Sequence, residues 1–242
     1  MRKSTERKVV IITGASRGIG ASLVQGFRQR GYAVVGNSRT IGKADASPDS
    51  EILFVEGDIA AADTADRLVK TAIARFGRID TLVNNAGLFI PRPFIDYSES
   101  DFMAMIAVNL MGFFHMTQQV LARMLQAGSG HIVTITATIG EQPMHSLPAA
   151  LATMTKAGLA AATRSLAVEY ATRGIRVNAV SPGVIKTPMH PPETHDFLSG
   201  LAPVGRMGEP QDISDAVLYL EGAPFVTGEI LHVDGGASAG QW

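Results

Sequence analysis

Four β-branched apolar residues in a row, Val9-Val10-Ile11-Ile12, run directly into Thr13-Gly14-Ala15-Ser16-Arg17-Gly18-Ile19-Gly20. The run suits a strand buried on both faces, and Ala21-Ser22-Leu23-Val24 then begins a helical pattern. A strand that turns on glycines into a helix leaves backbone N–H groups pointing outward at the positive end of that helix. Such an arrangement binds a pyrophosphate. Glycine lets the backbone approach the ligand and lets the helix pack closely on the strand. The expected fold class is therefore α/β.

At 242 residues the chain has room for one large α/β domain or two small ones. No internal repeat, low-complexity segment or linker divides it, so residues 1–242 are read as one domain. The net charge of −1 provides no field to attract nucleic acid or an anionic membrane. Without cysteine there is no disulfide and no thiolate chemistry, and no metal site is expected. Met1 to Lys8 is charged and lacks the apolar core of a secretory signal, and no apolar run is long enough to span a bilayer. A soluble, cytoplasmic protein is expected.

Helix one is read from Ala21 to Arg30, closed by Gly31, and strand two from Tyr32 to Gly36. After such a strand an NAD site places a carboxylate for the ribose 2′-hydroxyl, and an NADP site a cation for the 2′-phosphate. The sequence has Asn37-Ser38-Arg39 and no acid, with Arg17 in the glycine loop itself. Two guanidiniums around one phosphate argue for NADP(H). Ile41 to Ser50 reads as a linker, Glu51 to Val55 as strand three, and Asp58-Ile59 as its end. Asp58 is suited to accept from an adenine amino group or to cap the helix Ala60 to Phe76. Strand four, Ile79 to Val83, precedes Asn84-Asn85-Ala86-Gly87, small residues that let a ligand lie across a switch point of the sheet. A long helix from Ser98 to Leu125 carries Asn109 on an apolar face, where it needs a hydrogen-bond partner. Strand five is His131 to Ile135, the next helix holds Lys156, and strand six, Ile175 to Val180, leads to Ser181-Pro182-Gly183-Val184-Ile185-Lys186-Thr187-Pro188. Met189 to Leu201 reads as a mobile lid, Pro210 opens a helix, and Ile230 to Val233 is the last strand.

Taken in order, Thr13-Gly14-x-x-x-Gly18-x-Gly20, Asn84-Asn85-Ala86-Gly87, Asn109, Lys156 and the Pro182-Gly183 to Thr187 turn resemble the short-chain dehydrogenase/reductase family, near its 3-oxoacyl-carrier-protein reductases. The likeness covers nearly all of Val9 to Gly236. It implies a doubly wound, mostly parallel seven-stranded sheet with helices on both faces, and a dimer or tetramer whose interface includes Phe225 to Gly236. It also implies a cofactor held by Gly14, Ser16, Arg17, Gly18, Ile19, Gly20, Asn37, Ser38, Arg39, Asp58, Ile59, Asn85, Ala86, Gly87, Lys156, Pro182, Gly183, Ile185 and Thr187. In the family Thr187 would meet the nicotinamide carboxamide, Lys156 the ribose, and Asn109 a water that serves the lysine.

The same resemblance exposes a departure. The family's proton chemistry uses a tyrosine four residues before the lysine and a serine after strand five; here those positions are Ala152 and Ala137. No tyrosine lies between Gly140 and Glu169 to restore the pattern by a register shift. Thr136 and Thr138 are the nearest hydroxyls, and His145 is the nearest group able to transfer a proton near neutral pH. Asn109, Lys156 and His145 are thus the candidate catalytic residues. Two classes of function stay open. One is an NADP(H)-dependent oxidoreductase on a small carbonyl or alcohol substrate, with a weakened or unconventional proton-transfer site. The other is an inactive, dinucleotide-binding pseudoenzyme that senses redox state or assembles with an active paralogue.

Overall fold

The computed structural model describes residues 7–40 and 49–240. The linker expected over Ile41 to Ser50 lies, except for its last two residues, outside them. The apolar run Val9–Ile12 forms β1 near the middle of a seven-stranded sheet, fully buried on both faces as its composition requires. On one side lie β2 (Ala33–Ser38) and then β3 (Ile52–Glu56); on the other follow β4 (Thr81–Asn84), β5 (Gly130–Ile135), β6 (Ile175–Pro182) and β7 (Ile230–Val233). Every neighbouring pair runs parallel. Chain order reverses at β1, between β2 and β4, which makes the carboxyl ends of β1 and β4 the crevice where such sheets bind ligands.

Alternation along the strands divides the core in two. Val9, Ile11, Leu82 and Ile132 pack against α2 (Ala62–Phe76) and α4 (Gly112–Ala127) through Leu68, Met116 and Val120. Val10, Ile12, Val83 and Val133 face the opposite way, onto Leu23 and Phe27 of α1 (Gly18–Gln29) and Val217 of α7 (Pro210–Gly222). Each such fully buried side chain contributes about 1.5–3 kcal/mol.

Several boundaries differ from the sequence reading, among them β6, which runs on to Pro182, and α2, which starts at Ala62; three further differences bear on the crevice. Helix α1 begins at Gly18 instead of Ala21, so the last two glycines of the loop form its first turn. Strand β2 continues past Gly36 through Asn37 and Ser38, which pair with Val55 and Glu56. The expected single helix from Ser98 to Leu125 is three pieces: α3 (Glu99–Met105), capped by a Ser98–Asp101 capping box, then a π-helical stretch Ile106–Met111, then α4. Asn109 sits in the π-helical stretch, whose wider turn re-aims side chains as such bulges do. The expected lid contains one short helix, α6 (His195–Ser199), and Lys156 lies in the second turn of α5 (Ala150–Tyr170).

At the opposite end of the strands a buried polar cluster closes the fold. The Glu221 carboxylate accepts from the Tyr32 hydroxyl (2.6 Å) and the Thr81 hydroxyl (3.1 Å), and meets His131 Nδ1 at 2.7 Å. On the far side of the ring, Asn178 Nδ2 lies 3.0 Å from His131 Nε2. Glu229 N donates to Asn178 Oδ1 and Asn178 Nδ2 also donates to the Val226 carbonyl, which fixes that amide with its NH₂ toward the ring. Nε2 must therefore accept, so His131 is neutral with its proton on Nδ1. Burial, with Arg176 alongside, holds its pKa below the ordinary 6.5 against the pull of Glu221. The depressed folded pKa means that below about pH 6.5 the unfolded chain takes up a proton that the folded chain refuses, so stability falls with pH through that window. Unfolding free energies from urea titration are expected to drop between pH 7.5 and 5.5, by up to ~1.4 kcal/mol per pH unit from this site, and the drop should shrink in His131→Gln. An equal pH dependence in the variant would assign it to other groups.

Candidate functional site

The glycine loop and the end of β4 are tied together by one hydroxyl and one amide. Thr13 Oγ1 accepts from the backbone N–H groups of Asn85 (3.0 Å) and Ala86 (2.9 Å), and Asn85 Nδ2 donates to the carbonyls of Thr13 (2.9 Å) and Gly14 (3.1 Å). This clamp spans the switch point. Thr13, quoted in the sequence motif without a role, is one of the residues that sequence reasoning missed. Its signal was a hydroxyl wedged between a buried strand and a glycine, where it has to find partners.

Glycine is required here for space as well as conformation. Gly14 has φ +64° and Gly18 φ +54°. A Cβ on Gly20 would stand 2.0 Å from the Gly14 carbonyl oxygen, and one on Gly14 would stand 3.0 Å from Ala86 Cα. No side chain caps the N-terminus of α1, and its first turn carries no acidic residue. That terminus keeps the free donors and positive potential that suit an anion. Ile19 follows Gly18 in that first turn. Arg17 is exposed just before it, and Arg39 is exposed past the end of β2. Ser16 Oγ and Ser38 Oγ are 2.9 Å apart, joining the loop to β2. Asn37 is turned inward: its Nδ2 donates to the carbonyls of Val55 and Gly57, so its side chain braces β2 against β3. Exposed Asp58 accepts from Ala60 N at 3.0 Å in a turn ahead of α2 and does not cap that helix, whose N-cap is Ala61 without a side-chain hydrogen bond. Ile59, beside it, is buried in the core.

Across the crevice, Gly87 lies beside two more of the expected residues, Lys156 and Asn109. A Cβ there would meet Lys156 Nζ at 3.2 Å and Asn109 Oδ1 at 3.6 Å. Asn109 is fully employed: Oδ1 accepts from Leu88 N (2.8 Å), and Nδ2 donates to the Leu88 carbonyl (3.0 Å) and to Thr155 Oγ1 (3.0 Å). Thr155, unremarked in the sequence, thereby orients the asparagine. Lys156 is buried, and its ammonium donates to the Ile135 carbonyl at 2.9 Å. Burial lowers its pKa from 10.5 to about 8. Among the described residues no carboxylate pairs with it.

Pro182 ends β6; Gly183 packs so closely on Asp234 that a Cβ would lie 2.8 Å from its Cα. Ile185 bridges to Gly208, and its carbonyl meets His190 Nδ1 at 2.8 Å. From there the chain brings Thr187 over the glycine loop, its methyl 3.1 Å from where a Gly18 Cβ would be.

Ala137 and Ala152 meet in one apolar cluster. Ala152 has no exposed surface and packs among Met105, Ile139, Ala149 and Leu151, with half-buried Leu88, Phe89, Ile90, Tyr97, Ala137 and Leu147 around them. The neighbouring hydroxyls are committed elsewhere. Thr136 donates to the Val180 carbonyl, Thr138 Oγ1 lies 3.1 Å from Asp234 Oδ2, and Thr153 donates to the Ile139 carbonyl. Tyr97 donates to the Ile90 carbonyl at 2.7 Å, and burial pushes its pKa up, so it stays a neutral phenol. His145 lies exposed in the turn that Met144 and Leu147 close by a backbone hydrogen bond.

A family model described as enoyl-(acyl carrier protein) reductase matches residues 14–238. The chain is 38% identical over 249 aligned residues to the (2S)-[(R)-hydroxy(phenyl)methyl]succinyl-CoA dehydrogenase subunit BbsD of Thauera aromatica, covering 96% of this chain and 97% of that one. The structure of ElxO with NADP bound superposes with a TM-score of 0.90 at 30% identity, over 97% of this chain and all of the other. A 3-ketoacyl-(acyl-carrier-protein) reductase from Brucella melitensis complexed with NADH gives 0.88 at 31% identity, over 96% and 99%.

Proposed function

The chain belongs to the short-chain dehydrogenase/reductase family, and on that premise we propose that it binds NADP(H) and acts as an oxidoreductase on a small carbonyl or alcohol substrate with the family's proton-transfer side chains missing. The observation that carries the reading is the Thr13–Asn85 clamp, which holds a loop too tight for any side chain at Gly20 beneath the uncapped start of α1. The nicotinamide cofactor would supply the hydride. The N–H groups of the loop and the α1 terminus would hold its pyrophosphate, Arg17 and Arg39 its 2′-phosphate, and Lys156, beside Gly87, its ribose.

The preference for NADPH rests on Arg17 and Arg39 with no acid between them. Calorimetric titration should find NADPH binding tighter than NADH, and Arg39→Asp should remove or reverse the difference. A charge-assisted hydrogen bond is worth ~1.5–3 kcal/mol, so at least a tenfold rise in the NADPH Kd is expected. Equal affinities of the wild type for the two cofactors would refute the preference.

Ala137 and Ala152 stand where the family carries its serine and tyrosine, and the committed hydroxyls of Thr136 and Thr138 support no substitution by either threonine. His145, exposed at a turn, is the candidate donor that would have to reach in from the loop. One observation favours the second reading, an inactive cofactor-binding subunit: the position of the missing phenol is sealed in apolar packing. Either form is proposed to be a dimer or tetramer, a reading supported by Phe225, which is wholly exposed in the single chain.

A further inference from the structure

One buried hydroxyl beneath the crevice has no use in the site described above. Among the described residues, Thr134 Oγ1 is the buried side-chain oxygen or nitrogen that finds no hydrogen-bond partner. A buried hydroxyl left unpaired costs free energy, and native folds seldom leave one so. Its neighbours across the sheet are polar as well. Leu82 of β4 and Ile132 of β5 pack toward α4, so Asn84 and Thr134, two residues further along each strand, face the same way. The two are direct register partners. Asn84 Nδ2 donates to Thr117 Oγ1 of α4 at 3.0 Å, and among the described residues its Oδ1 accepts from no donor. Between the strands and the helix lies a cavity of about 10 Å³, bordered by Thr13, Asn84, Thr134, Asn109, Gly112 and Ile59 among others. Thr13 and Asn109 already have partners for their side chains. The unmet hydrogen-bonding capacity at this cavity therefore belongs to Thr134 and Asn84.

We propose that the cavity binds a single water molecule, which accepts from the Thr134 hydroxyl and donates to Asn84 Oδ1. The space is about what the centre of one water needs, and buried waters are held by two to four polar groups. A larger ligand has no room. An ion has nothing to face it, because no acidic or basic side chain lines the cavity. The bound water ties β4 to β5 directly below the crevice. Asn85 and Ile135, the residues next along each strand, belong to the clamp and to the Lys156 contact, so the water is part of the floor on which both rest.

The sign of one substitution tests this. Thr134→Val keeps the shape of the side chain and removes the hydroxyl alone. If that hydroxyl is bonded to water, its loss should raise the urea-unfolding equilibrium constant of the whole protein about 3- to 10-fold. If it has no partner, valine removes a buried unpaired group and the constant should fall. A constant that falls or stays the same overturns the proposal. Crystals of the wild-type protein provide a second reading that does not depend on the variant folding. They should show one water within about 3.2 Å of both Thr134 Oγ1 and Asn84 Oδ1, and crystals of Thr134→Val should lack it. A wild-type crystal without that water, one with Thr134 turned to a protein acceptor, or a water that persists in the valine variant overturns the site.

Discussion

Gly20→Ala should abolish NADP(H) binding, raising the Kd more than 100-fold while the sheet still forms. The new methyl carbon would lie 2.0 Å from the Gly14 carbonyl oxygen, 2.8 Å from its carbon and 2.9 Å from Ala15 Cα. All three are backbone atoms, so no side chain can rotate away. The Gly14 carbonyl is also held by Asn85 Nδ2, and Gly14 itself is pressed against Ala86. Relief therefore means lifting the whole loop off β4 and breaking the clamp from Thr13. Overpacking of a well-packed site costs about 1–3 kcal/mol, which lowers the urea midpoint without unfolding the chain. The cofactor loses more, because the N–H groups of the first turn no longer converge on one point. Calorimetry with NADPH decides the matter: near-wild-type affinity in a folded Gly20→Ala protein would mean that the cofactor does not use this loop.

The loop was legible in the sequence because its constraint is local. A buried strand, glycines at fixed offsets and a helix in close succession leave few backbone paths, and Val9–Ile12 and Gly18 onward form those elements. The doubly wound sheet was legible only through the family resemblance, and the order of its strands was not read from the sequence. What the sequence did not reveal depends on long-range contacts. Asn109 is a polar residue on an apolar face until the π-helical stretch and the Leu88 backbone are seen to satisfy it. Thr13 and Thr155 look like ordinary threonines, because their partners lie 72 and 46 positions away. Asn37, assigned to the cofactor by resemblance, has an amide that braces β3, a role set by the pairing of two strands. The departure at Ala137 and Ala152 was visible as two letters; that fully buried Ala152 and half-buried Ala137 belong to one apolar cluster was not.

Ala137→Ser combined with Ala152→Tyr should give the protein reduction of a simple ketone that the wild type performs poorly or not at all. The supporting groups are already in place: Lys156 one turn on from position 152, Gly87 beside its ammonium, and Asn109 locked onto Leu88. A phenol has an ordinary pKa near 10, and an ammonium one turn away lowers it toward the range where it can donate and recover a proton at neutral pH. A positioned general acid is worth about 10²–10⁴-fold, and that is the expected rise in kcat/KM for 2-acetylnaphthalene. The phenol has to enter packing that leaves Ala152 no exposed surface, so Leu88, Phe89 and Leu147, which are only half-buried, must give way. That rearrangement is expected to cost about 1–3 kcal/mol and to lower the thermal midpoint. Ala137→Ser alone should change little, because a hydroxyl that holds a carbonyl oxygen does not supply its proton; Ala152→Tyr alone should give most of the gain. A double variant that folds, binds NADPH and reduces the ketone no faster than the wild type would show that the apolar cluster has moved the substrate position itself, and that restoring two hydroxyls does not rebuild the site.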